Sequence, residues 1–361
     1  MHRFARTAAR PALSVTARSR SSARSSARSS AHILACGMAL ALCTSLASAE
    51  WQPDKPINII VPWSAGGSTD QVTRVVAPLL EKGLGTKIVV VNQPGASGAT
   101  GTQSALDAPR DGYTWTANAI ANNATYAVTG MIEDTSIDDY RIYLHVANVP
   151  VVSVNADSEF EDFGQLLDAM GSGDVTVGTA GVNSSGGMAL AAINEASGGS
   201  EGARMITYDG GAPAALAAAS GEVVATTQLA SEQSELIRAG KLRALAVLSD
   251  APLEIEGIDP IPPITEWLDM KTAPDYFGVL IPMGAPQEVY DTVDRVWQEQ
   301  VMDSDEFRVY AAERGAVFAP SFGHEAKERA MPVVVAEACA RVIRGEAVLD
   351  PSEIGIDCPA D

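Results

Sequence analysis

From residue 57 to residue 281, short runs rich in β-branched residues alternate with amphipathic stretches, and no other feature restricts the fold of this chain as much. Such alternation is the pattern of βαβ units, in which helices cover a mostly parallel sheet. Strands are expected at 57–61, 88–91, 113–118, 149–154, 175–178, 205–207, 223–227, 243–248 and 277–281. In the first intervening helix Val72, Val75, Val76, Leu79 and Leu80 form one apolar stripe, which Pro78 is expected to kink. The C-terminal third has helical character at 287–302, 304–313 and 323–343. With 361 residues, 46% of them hydrophobic, the chain has material for about two packed domains. Gly and Pro are spread along it and not gathered in a linker. Two domains joined by crossing segments leave that signature, whereas beads on a string do not.

The N-terminus is built differently. Residues 1–31 are rich in Arg, Ser and Ala without one acid, and they run into the apolar stretch 33–46 and then Ala47-Ser48-Ala49. A basic region, a short apolar region and an A-x-A triplet describe a secretory signal cleaved after Ala49. An acid-free Arg/Ser leader also fits a mitochondrial transit peptide; the Ala-Ser-Ala triplet favours export. Cys36 opens the apolar run and does not follow it, which argues against a lipid anchor. The whole chain carries −20. The leader holds seven Arg, so the remainder carries −27, with six Lys in all. A nucleic-acid partner is excluded by that balance, because phosphate backbones call for a basic surface. Of four Cys, Cys339 and Cys358 remain after cleavage, and in an exported chain they suggest one disulfide pinning the tail. With no CxxC and only His145 and His324 left, neither a zinc nor a thiol-redox site is expected, and no cofactor.

Four glycine-rich loops each follow an expected strand and open an expected helix. They are 62–70 (Pro-Trp-Ser-Ala-Gly-Gly-Ser-Thr-Asp), 94–101 (Pro-Gly-Ala-Ser-Gly-Ala-Thr-Gly), 178–187 (Gly-Thr-Ala-Gly-Val-Asn-Ser-Ser-Gly-Gly) and 208–213 (Tyr-Asp-Gly-Gly-Ala-Pro). In an open α/β sheet such loops lie at the carboxyl edge, where ligands bind. Free N–H groups at helix N-termini, with hydroxyls beside them, favour an anion. None of the four contains Lys or Arg. A polyphosphate loop usually adds a Lys, so the missing cation points to a carboxylate held by neutral donors. Gly-rich turns also serve positive φ and close packing, and Ser68, Asp70 or Thr100 can simply cap helices.

The same residues resemble a known family, the periplasmic substrate-binding proteins of tripartite tricarboxylate transporters, often called Bug receptors. The resemblance is carried by Pro56-Ile57, by 61–70, by 91–98 (Val-Asn-Gln-Pro-Gly-Ala-Ser-Gly) and by Asp111-Gly112-Tyr113-Thr114. Further on it is carried by 178–181, 208–211, Pro262-Pro263-Ile264-Thr265-Glu266 and 281–286 (Ile-Pro-Met-Gly-Ala-Pro). It covers roughly 51–320 in order and thins over the last forty residues. It departs at Trp63-Ser64, where many members have Phe or Tyr, at Gly187, often His, and at Asp209, often Lys.

The resemblance implies a two-lobed α/β Venus-flytrap fold with two crossing strands, 50–150 with 275–361 forming one lobe and 151–274 the other. Hinges are expected near 151–154 and 243–248. It also implies a monomeric periplasmic receptor that binds a small organic carboxylate and delivers it to the membrane subunits of such a transporter. The expected ligand-binding residues are Trp63, Ser64, Ala65, Gly66, Ser68, Asp70, Ser97, Gly98, Thr100, Asn118, Thr179, Ala180, Ser184, Ser185, Asp209 and Gln228. Capping is the favoured role for Asp70, while Asp209 caps a helix or meets an amine or hydroxyl of the ligand.

Two other classes fit the residues less well. An oxidoreductase would use 95–101 as a dinucleotide loop, but its spacing is GxxGxxG and no acid ends a strand about 20 residues on. An exported hydrolase would need a GxSxG elbow or a triad on His145 or His324, one inside an expected strand and the other at a helix start.

Overall fold

The computed structural model describes residues 50–198 and 202–359; the expected leader lies outside them. The chain forms β1 (Ile57–Val61), β2 (Ile88–Asn92), β3 (Thr114–Ala119) and β4 (Tyr140–Asn148), then β5 (Pro150–Asn155), β6 (Thr176–Thr179), β7 (Arg204–Thr207), β8 (Ala225–Leu229) and β9 (Leu242–Val247). A hairpin of β10 (Leu253–Ile255) and β11 (Ile258–Ile261) follows, and β12 (Asp275–Pro282) and β13 (Ala316–Phe322) complete the strands. One sheet has the order β13-β4-β12-β3-β1-β2 and the other β7-β6-β8-β5-β9.

Helices α1 (Ser68–Leu84), α2 (Ala99–Leu106) and α3 (Ile120–Thr125) belong with the first sheet, and α4 (Phe163–Met170), α5 (Ser185–Ala196), α6 (Gly211–Ser220) and α7 (Ala230–Arg238) with the second. Then come α8 (Gln287–Gln300), α9 (Asp305–Arg314) and α10 (Gly323–Ile343). The stripe of α1 buries Val72, Val76, Leu79 and Leu80 in a core with Trp115, Val293, Val296 and Trp297. Pro78 sits inside α1, which continues to Leu84 without ending at it. A second core, around Val152, Phe163, Leu166, Val177 and Leu245, underlies the other sheet.

Two sequence expectations change here. The sheets are mixed and not mostly parallel. β1 pairs in parallel with β2 and β3, and β6 with β7 and β8. β12 runs antiparallel to β3 and β4, β13 to β4, and β5 to β8 and β9. Strands that arrive from the other half of the molecule run against the local βαβ direction, because they enter the sheet from the opposite end. Next, β13 was not foreseen, being an edge strand that contains Pro320, and β4 was marked only by the strand expected around His145, because Arg141 and His145 interrupt its apolar run. The chain crosses between the sheets at Val149 and again in the segment that follows β9, beside the ranges 151–154 and 243–248.

The tail is held as expected by a Cys339–Cys358 disulfide, which joins α10 to the end of the described chain with Cα atoms 5.5 Å apart.

Candidate functional site

The four glycine-rich loops lie at the carboxyl ends of β1, β2, β6 and β7, and they meet as two pairs. The β1–α1 loop touches the β7–α6 loop, where Ser64 N donates to Asp209 O at 3.1 Å. The β2–α2 loop touches the β6–α5 loop, where Gly181 faces Ser97. Both approaches depend on a missing Cβ: one on Gly210 would collide with Ser64 Oγ, and one on Gly181 with Ser97 Oγ. Gly210 has an extended backbone that any residue adopts, so only the close approach demands glycine there. Gly210→Val is therefore expected to weaken binding of any cleft ligand about tenfold or more while far-ultraviolet circular dichroism stays unchanged. Adding Ser64→Ala should restore part of the loss by removing the colliding hydroxyl. Unchanged affinity in Gly210→Val would show that loop contact does not matter for binding.

Between the β1–α1, β6–α5 and β7–α6 loops and the ends of β3 and β8 lies a narrow cleft. Of the expected residues, Trp63, Ser68, Asn118, Ala180, Ser184, Ser185 and Gln228 line it. Trp63 Nε1 donates to Asn118 Oδ1 at 2.8 Å, which presents the indole edge-fixed toward the cleft. Asn118 Nδ2 in turn donates to Asn123 Oδ1 at 2.6 Å. Ser184 caps α5, its Oγ accepting from Gly187 N at 3.0 Å. Ser185 Oγ donates to the buried carboxylate of Asp275 at 2.5 Å. Two buried polar atoms of lining residues lack a protein partner: the donor Gln228 Nε2 and the acceptor Asn122 Oδ1. A polar atom left so is costly unless a ligand or water completes it.

The first loop uses its amides differently from the sequence expectation. Gly66 N donates to Asp70 Oδ2 at 2.9 Å, Gly67 N to Ser64 O at 3.4 Å, and Ser68 N to Glu232 Oε1 at 2.9 Å. Protein acceptors thus occupy the amides expected to hold the ligand. The N-terminus of α1 has no cap from its own N-cap residue, Gly67. Glu232 supplies one from α7, while also accepting from Leu229 N at 3.3 Å in the manner of a capping-box Glu. Burial pushes the Glu232 carboxyl up to about 7, against the opposing pull of the Ser68 and Leu229 amides. Ser68 Oγ receives Asn148 Nδ2 at 2.9 Å and Ser231 Oγ at 2.9 Å, a polar knot between the two halves.

Other expected residues fall outside the lining. Asp70 points into its own loop, bonded to Gly66 N, to Asn92 Nδ2 at 2.9 Å and to Arg74. Burial alone would raise its carboxyl, but the bonds from Arg74, Gly66 and Asn92 hold it below the usual range. Ala65, Gly66, Thr100 and Asp209 are exposed. Ser64, Ser97, Gly98 and Thr179 shape the loops. Ser97 O accepts from Tyr126 at 2.9 Å, Gly98 packs on Tyr126 and Trp63, and Thr179 Oγ1 accepts from Gly181 N at 3.2 Å. Sequence reasoning missed Thr69, Asn122, Glu232 and Phe277. Asn122 and Glu232 stand at the strand-to-helix junctions after β3 and β8, whose lack of glycine hid them; the strand-helix alternation was the signal that could have found them. His145 is buried against Phe307 and Trp297, and His324 lies on the surface of α10.

Residues 72–317 match the family described as Tripartite tricarboxylate transporter family receptor, TctC. Protein BugT of Bordetella pertussis is 28% identical over 273 residues, 74% of this chain and 82% of BugT. Among solved structures, the periplasmic binding protein BugD is similar with a TM-score of 0.74 at 22% identity, covering 82% of this chain and 99% of BugD. R. palustris Rpa4515 with adipate is similar with a TM-score of 0.71 at 23% identity, over 81% of this chain and 98% of that one. These structures share the fold of two α/β lobes facing across a cleft. The match spans more than half of the sequence, and the chain belongs to the family of tripartite tricarboxylate transporter receptors.

Proposed function

We propose that this protein is a periplasmic solute receptor that closes on a small organic carboxylate and passes it to the membrane subunits of a tripartite tricarboxylate transporter, binding without chemistry. In this reading the leader is removed after Ala49, the monomer is the working unit, and residues 50–150 with 275–361 form one lobe against 151–274. The observation that carries it is the cleft at the meeting of strand-to-helix junctions from both sheets, lined by Gln228, whose buried Nε2 has no protein partner. A carboxylate oxygen satisfies that donor, and in a site closed to water a neutral donor counts for more than on the surface. Rpa4515, with adipate, shares the fold, which supports an acid of this size.

The reading is tested by calorimetry and thermal shift over mono-, di- and tricarboxylates, since a ligand selective for the folded state raises its melting temperature. Gln228→Leu should weaken binding of the best acid by about 10- to 100-fold, the range for a lost hydrogen bond to a charged group. Absence of binding throughout the panel, or chemical conversion of the bound acid, overturns the proposal. Export is checked separately: protein recovered from the periplasm should begin at Glu50, and a full-length product confined to the cytosol contradicts it.

A further inference from the structure

We propose that Glu232 sets the charge of the ligand, so that the cleft selects an acid with one carboxylate and a hydrogen-bond donor, such as an amino acid or hydroxy acid, over a doubly ionised diacid. This rests on the carboxylate-receptor reading and narrows it.

Glu232 is part-buried in the cleft wall, and each of its carboxylate oxygens receives one backbone N–H, from Ser68 and Leu229. Each oxygen keeps capacity for a further donor. Among the described residues, no Lys or Arg lines the cleft, so nothing there offsets a second negative charge. A monocarboxylate brings one anion and can turn its hydrogen-bond donor toward Glu232. A diacid has to bring its other carboxylate to the remaining wall. Two like charges ~6 Å apart at an effective dielectric constant of ~20 repel enough to weaken binding roughly 100-fold. The unpartnered Asn122 Oδ1 is an acceptor too, and with Glu232 it gives the cleft two places for a ligand donor.

The surrounding charges leave Glu232 uncompensated. On α1 Asp70 is taken by Arg74, on α7 Glu235 pairs with Arg238 and Arg314, and Asp209 before α6 is exposed. On α9 Tyr310 is neutral, its hydroxyl pushed up to about 12 by burial. An ionised Glu232 is therefore free to reject a dianion or to take up a proton when one binds.

The test uses the mature protein at pH 8 and size-matched sets of amino, hydroxy and dicarboxylic acids of three to six carbons, for example 4-aminobutyrate, 4-hydroxybutyrate and succinate. Calorimetry on the wild type should give an amino or hydroxy acid at least tenfold tighter than its matched diacid. Glu232→Gln keeps the capping acceptor and removes the charge, so that ratio should shrink at least tenfold, with the diacid gaining. If acids bind but the ratio is the same in both proteins, Glu232 does not set ligand charge and the receptor reading stands without it. If no acid binds either protein, the receptor reading falls and this inference with it. A second measurement needs no variant: titrations in buffers of different ionisation enthalpy should show up to one proton taken up when a diacid binds the wild type, and none when an amino acid binds. Diacid binding with no proton uptake and no affinity penalty overturns the proposal.

Discussion

Asp275→Asn should raise the melting temperature at pH 8 by about 7 °C and leave it nearly unchanged at pH 4. Asp275 opens β12 where the chain re-enters the first sheet, and it lines a second cavity with Glu337, Met188 and Thr272. Burial pushes its carboxyl up to about 7, with the Glu337 charge adding to the rise and the Ser185 hydroxyl opposing it. The unfolded chain ionises near the ordinary carboxylate value of about 4. The folded pKa is the higher of the two, so this group favours the folded state fully below pH 4. That favour is lost as pH rises from 4 through 7. At pH 8 the loss is on the order of 4 kcal/mol, and Asn, which does not titrate, escapes it.

Glu232 acts with the same sign over the same window, from about 4.5 to 7. His145 acts oppositely: burial lowers its imidazole to about 3, so stability falls as pH drops from about 6.5 toward 3. Comparing Asp275→Asn with the wild type at each pH cancels both. A melting temperature that does not rise at pH 8 would mean that Asp275 is not held above its ordinary value.

Cys339→Ser with Cys358→Ser should cost about 3 kcal/mol, a melting temperature lower by about 5 °C under oxidising conditions. The bond closes a loop spanning a sequence separation of 19. What it retains is visible in the tail: Ile356 packs with Ala330, Val334 and Ala338 of α10, and Val348 N donates to Val128 O at 2.8 Å. Without the bond, the unfolded chain gains freedom and the folded tail keeps only these contacts. Equal melting temperatures for the oxidised wild type and the double variant would show that they suffice.

Much of this architecture is written in local sequence. β-Branched runs mark strands wherever a core lies on both sides, which is why β1 appears at 57–61 in sequence and structure alike. The glycine-rich loops are local too: Gly and Ser beside a strand end encode a turn into a helix whatever the rest of the chain does. Trp63 and Ser184 follow from that, since each stands at such a junction and the direction of a βα unit carries it to the carboxyl edge. The composition, the leader and the two remaining cysteines needed no folding at all to be read. Strand pairing did need it, because a parallel or antiparallel neighbour is chosen by chain returning from far away. So did the fate of the loop amides. Sequence shows donors waiting at a helix start, but only the fold brings an acceptor to them, and at α1 that acceptor is the carboxylate of Glu232, 164 residues from Ser68. A bond across that separation has no local pattern, for it depends on two helices from opposite halves of the molecule meeting end to end.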